Sequence, residues 1–112
     1  MYLHEIKEIL EATVICGEDH LEREVRSACG SDFMSDVLAY VKDQAVLLTG
    51  LVNPQVIRTA DMMDMTCIVF VRGKAPDEGM IALARDRDIV LMTSRERMYN
   101  ACGKLYMAGL GR

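Results

Sequence analysis

The chain has 112 residues, of which 51% are hydrophobic and 27% charged, with a formal net charge of −4. That length supports one domain with a sizeable core, whereas two domains would each be too small to bury one. The acidic balance argues against a general nucleic-acid binder, and no apolar run approaches the roughly 18 residues of a membrane span.

The opening MYLHEIKEILEA lacks the basic start and apolar block of a secretory signal, so a cytoplasmic protein is expected. Leu3, Ile6, Ile9 and Leu10 fall at helical spacing over residues 2–12, with Glu5, Lys7, Glu8 and Glu11 between them. TVIC (13–16) reads as a short strand stopped by Gly17. EVRSAC (24–29) reads as extended and closes at Gly30. Ser31 or Asp32 then caps a helix whose stripe is Met34, Val37, Leu38 and Val41.

AVLLT (45–49) is a continuous apolar run, the signature of a strand buried on both faces. Asn53 followed by Pro54 reads as an N-cap with proline in the first helical position, ahead of the stripe Val56, Ile57, Ala60 and Met63. CIVFV (67–71) is the next buried strand, ending at Arg72-Gly73. Pro76 opens another helix, with Asp77 and Glu78 near its N-terminus and Ile81, Leu83 and Ala84 inward. DIVLM (88–92) is the last strand. Thr93 and Glu96 fit a capping box for a final helix carrying Met98, Ala101, Cys102, Leu105 and Ala108 on one face. Strand and helix thus alternate. The expectation is a single α/β domain over residues 1–112, a mostly parallel sheet of about four to five strands flanked by helices.

Charge is distributed unevenly: residues 1–45 hold ten acids and four bases, residues 46–112 seven acids and nine bases. Solvated helix faces account for this. The sharper alternatives are an anion-binding face, or a basic face that meets the acidic face of another subunit. Cys16, Cys29, Cys67 and Cys102 are far apart and lie in apolar stretches, as reduced cysteines of a cytosolic core do. His4 and His20 have no partner at metal-ligand spacing. Met62, Met63 and Met65 read as core or helix end, or alternatively as an apolar contact surface.

Catalytic signatures are absent. There is no G-x-S-x-G, no G-x-G-x-x-G, and VRGKAP lacks the earlier glycine of a phosphate loop. The acidic pairs Asp32/Asp36 and Asp61/Asp64 could hold magnesium and make this a small metal-dependent enzyme, but exposed helix positions explain them more simply. No catalytic residue, metal or cofactor is expected. Parallel sheets gather ligands at the carboxyl ends of their strands. Those ends place Ser31, Asp32, Thr49, Gly50, Arg72, Gly73, Thr93 and Ser94 as candidate binding residues for a phosphate or carboxylate.

The phrases LHEIKEILEATVICGEDHLEREVRSACGSDFMSDVLAYV, AVLLTGLVNPQVIRTADMMDMTCIVFVRGKAPDEGMIALARDRDIVLMTS and RMYNACGKLY resemble the DRTGG domain, over roughly residues 3–108. This is a small α/β module related to the N-terminal region of HPr kinases, and it also occurs in phosphotransacetylases and beside CBS domains. Relatives carry an Asp-Arg pair after the glycine that follows the AVLLT-like strand. Here Gly50 is followed by Leu51-Val52-Asn53-Pro54. The resemblance implies a non-catalytic regulatory or assembly module that self-associates as a homodimer and binds a small anionic metabolite such as a nucleotide. The alternative is a pure protein-interaction subunit of a bacterial or archaeal system, some of them redox- or hydrogenase-associated. Neither nucleic acid nor membrane is an expected partner.

Overall fold

The computed structural model describes residues 1–111. In chain order the elements are α1 (Leu3–Ile9), β1 (Thr13–Cys16), a 3-10 turn (Glu18–His20), β2 (Ser27–Gly30), α2 (Met34–Tyr40) and β3 (Ala45–Thr49). They continue with α3 (Pro54–Met62), β4 (Cys67–Phe70), α4 (Glu78–Asp86), β5 (Val90–Thr93) and α5 (Met98–Met107). The strands form one five-stranded sheet in the order β1-β5-β4-β3-β2. The pairs β2/β3, β3/β4 and β4/β5 are parallel, and β1 closes the far edge antiparallel to β5. The fold class is therefore the expected one, a mostly parallel sheet flanked by helices.

Alternation along the strands divides the core. Val46, Leu48, Val69, Val90 and Met92 pack toward α1 and α5. Leu47, Ile68, Phe70 and Leu91 pack toward α2, α3 and α4. Both faces of the central strands are thus covered, which is why β3 and β4 read as unbroken apolar runs and are buried at every position. Helices α2, α3 and α4 share one face because the three parallel crossovers all step the same way along the sheet.

Helix starts show where side-chain chemistry was redirected. Asn53 caps α3 as expected, its side-chain Oδ1 accepting from Gln55 N–H at 2.9 Å with Pro54 in the first helical position. Helix α4 begins at Glu78, two residues after Pro76, because Asp77 takes the cap and accepts from Met80 N–H at 2.8 Å. Neither Ser31 nor Asp32 caps α2. Phe33 holds that position, Ser31 Oγ accepts from Phe33 N–H at 3.0 Å, and Asp32 is turned away toward β3. The Thr93–Glu96 capping box does not form either, and Arg97 precedes α5. Thr93 Oγ1 donates to the Lys74 carbonyl at 2.6 Å, and the Glu96 carboxylate takes Lys104 Nζ at 2.6 Å. In both cases a tertiary partner outcompetes the local cap.

Candidate functional site

The carboxyl ends of β2, β3 and β4 meet at one corner, built around Asp32. Its Oδ1 accepts from Gly50 N–H at 2.7 Å and from Thr49 Oγ1 at 3.3 Å, and its Oδ2 faces Arg72 Nη2 at 3.3 Å. Thr49 Oγ1 in turn accepts from Leu51 N–H at 3.1 Å, so a fully buried hydroxyl is satisfied on both sides. The Gly50 N–H does most to hold the Asp32 carboxyl below the usual carboxylate range; burial is the next effect and opposes it, and Arg72 and then Thr49 add to the lowering. A backbone amide, a hydroxyl and a guanidinium therefore converge on one carboxylate, the donor set that recognises a phosphate or carboxylate.

Gly50 leaves the space that the Arg72 side chain occupies, so a larger residue there would displace the guanidinium from Asp32. A methyl group there would meet Arg72 Nη2 at 1.8 Å, so the guanidinium lies directly across the glycine. Arg72 is aimed by an unusual turn: its φ is 59° and that of Gly73 is 67°, both left-handed. A non-glycine residue in that region costs roughly 1–2 kcal/mol. Two backbone bonds hold the turn, from Arg72 N–H to the Glu96 carbonyl and from Gly73 N–H to the Ser94 carbonyl, each 2.8 Å.

Of the eight sequence-derived candidates, Asp32, Thr49, Gly50 and Arg72 are brought into direct contact, and Ser31 shapes the loop that delivers Asp32. Gly73, Thr93 and Ser94 lie on the neighbouring corner. There the buried Ser94 hydroxyl donates to the Leu10 carbonyl at 2.7 Å and accepts from Glu96 N–H at 3.2 Å. Ser94 thus ties the β5–α5 loop to the end of α1.

The acidic pairs are separated by their ion pairing. Asp32 turns to Gly50, while Asp61 binds Arg87 Nη1 at 2.6 Å. Among the described residues no group of three or more His, Cys, Asp or Glu side chains is placed to hold a metal ion. All four cysteines are free. Burial pushes the Cys67 thiol up to about 12, and it raises those of Cys16, Cys29 and Cys102 as well. The methionine cluster splits: Met65 is core, Met63 packs against it, and Met62 is exposed.

Sequence reasoning missed a second feature, an apolar groove of about 1110 Å³ between α5 and β2. Ala28 and Gly30 form its floor, Tyr99, Cys102, Gly103 and Met107 its α5 wall, and Tyr40 its far rim. The available signal was the spread of aromatic and sulfur side chains around α5: Tyr99 and Met107 are 88% and 78% exposed, outside the buried stripe. Gly30 also lets α5 approach closely, since a Cβ there would lie 2.6 Å from Cys102 Sγ.

The model of the DRTGG domain family matches residues 5–107. The chain belongs to the DRTGG domain family. No curated protein matches it in sequence. Among solved structures, the CBS and DRTGG domains of the regulatory region of Clostridium perfringens pyrophosphatase, complexed with activator, diadenosine tetraphosphate, superpose on it with a TM-score of 0.75. Identity is 15% over 93% of this chain, and this DRTGG domain spans only 45% of that chain's length. No helix among its described residues is long and apolar enough to cross a membrane.

Proposed function

We propose that this DRTGG domain is a non-catalytic regulatory module, working as a homodimer in the cytoplasm, that takes a small anionic metabolite at the Thr49–Gly50–Arg72 corner. A nucleotide is the leading class. The observation that carries the reading is the convergence of the Gly50 N–H, the Thr49 hydroxyl and the Arg72 guanidinium on the Asp32 carboxylate. A phosphate offers those donors the same charge and acceptor atoms, so it can replace Asp32, which is then a built-in stand-in for the ligand. Ser31 and Asp32 form the displaceable wall, while Gly73, Thr93 and Ser94 hold the opposite side in place through the turn that aims Arg72. The dinucleoside polyphosphate bound to the Clostridium perfringens regulatory region makes adenine nucleotides the first probes.

Calorimetric titration with diadenosine tetraphosphate, ATP and inorganic phosphate tests the site. Arg72→Ala is expected to weaken binding at least tenfold while leaving the circular dichroism spectrum unchanged, as loss of one charge-assisted contact of about 1.5–3 kcal/mol requires. Asp32→Asn, which removes the competing charge, is expected to tighten it. A wild-type protein that binds none of the three probes, or an Arg72→Ala variant with wild-type affinity, removes the site. The groove beside α5 favours a second reading, a pure protein-interaction subunit without a small ligand, and that reading would stand if the titrations are flat.

A further inference from the structure

The groove and the free edge of β2 lie together at one end of the sheet, and their chemistry is self-complementary. Ser27 N–H donates to the Gln44 carbonyl at 3.4 Å and Ser31 N–H to the Leu48 carbonyl at 3.0 Å, so the odd-numbered residues of β2 face β3. The N–H and C=O groups of Ala28 and Gly30 therefore point out of the sheet edge, and both residues are exposed. The strand has no bulge, proline or lysine to discourage pairing.

We propose that β2 pairs antiparallel with β2 of a second copy, continuing the sheet across a two-fold axis. This rests on the homodimer of the proposed function and names its surface. One register uses every outward group: Ala28 opposite Gly30 of the second copy, and Gly30 opposite Ala28. A shift of two residues either way would set one of them against Arg26 or Asp32. Arg26 N–H is already spent on the Gln44 carbonyl at 2.9 Å, and at Asp32 the chain has entered the Ser31–Phe33 turn.

Three consequences follow from that register. The axis stands normal to the sheet, so both copies keep α5 on the same face and the two grooves close on each other. The Arg26 end of each strand meets the Asp32–Asp36 end of the other. Arg26 is exposed and forms no ion pair among the described residues of its own chain, and in this register it stands opposite Asp32 of the second copy, a base against an acid. Cys29 lies on the axis opposite its own counterpart, in a non-hydrogen-bonded pair whose Cα atoms sit about 4.5 Å apart, inside the range a disulfide spans.

Sedimentation equilibrium of the reduced chain, with copper–phenanthroline oxidation of the same sample, tests the surface. The wild type is expected to be a dimer, and Ala28→Pro to weaken it at least 100-fold with an unchanged circular dichroism spectrum. Proline there removes only an N–H that faces out of the edge. Oxidation is expected to give a covalent dimer that Cys29→Ser abolishes and Cys102→Ser retains. A wild type that is monomeric at all concentrations overturns the homodimer and the surface together. A dimer that survives Ala28→Pro, or that cross-links through Cys102 instead, overturns the surface and leaves the homodimer standing. Should Ala28→Pro fail to fold, the two cysteine variants decide alone.

Discussion

The two edges of the sheet are built on opposite terms. At the β1 edge the register slips between Val14 and Cys16, a bulge that bends the strand, and Gly17 follows in a left-handed conformation hard against Val90. A bulged, strongly twisted edge is a poor template for another strand. At the β2 edge the register is unbroken, the outward residues are alanine and glycine, and an apolar groove opens beside them. The lesson is that side-chain bulk near an edge does different work at each end of this sheet: at β1 it is committed to the fold, and at β2 it is withheld.

The largest expected effect comes from disturbing the committed edge. A Cβ on Gly17 would lie 2.8 Å from Val90 Cγ2 and 3.0 Å from its Cα, at a φ of 86°. Gly17→Ala should therefore cost about 2–4 kcal/mol from strain and overpacking combined. Urea denaturation should show this as a lower midpoint, whereas Ala28→Pro at the other edge should change monomer stability by less than about 1 kcal/mol. Equal losses at the two sites would erase the contrast.

Thiol reactivity sharpens it further. Cys16 belongs to the committed edge, is fully buried, and donates to the Ile89 carbonyl at 3.7 Å. Cys67 is fully buried too, and burial pushes its thiol up to about 12, away from the reactive thiolate. Iodoacetamide followed by peptide mass mapping should label Cys29 and Cys102, both partly exposed, at least tenfold faster than Cys16 and Cys67. Ala28→Pro should accelerate both Cys29, on the axis, and Cys102, in the groove that the second copy closes, and leave Cys16 and Cys67 unchanged. Uniform labelling would mean that the open edge is no more accessible than the core.

The smallest effect is electrostatic and sits where the open edge ends. Asp32 has a lowered pKa in the folded chain, so its contribution is present above the ordinary carboxylate range and is lost as the pH falls through the folded value. The stability gap between wild type and Asp32→Asn should be flat from pH 7 to pH 5 and close only at more acidic pH. Its size should be less than about 1 kcal/mol, because the side chain is 42% exposed and solvent screens it. A gap that closes near neutral pH would mean that Asp32 is not the carboxylate held at the corner.

Much of this architecture is legible in one dimension. The runs AVLLT and CIVFV mark the two central strands because strands covered on both faces need apolar residues without alternation. Asn53-Pro54 marks a helix start because both side chains act within one turn of their own backbone. The caps assigned to Asp32, Thr93 and Glu96 were not legible. Each of those groups had a local partner available and bonded a distant one instead: Gly50, the Lys74 carbonyl and Lys104.

Strand ends are also visible in the sequence, and with them three of the four residues that meet at the corner, since Thr49, Gly50 and Arg72 stand at the ends of apolar runs. Sequence alone does not say that an internal carboxylate fills the corner, because Asp32 reaches it across 18 residues of chain. Nor does it say which strand lies at an edge, or whether that edge is bulged. Helical and strand periodicity are properties of neighbours along the chain, written into the order of residues by covalent geometry. Strand order, edge exposure and the meeting of Asp32 with Gly50 and Arg72 depend on which segments the hydrophobic core draws together, and only the tertiary structure decides that.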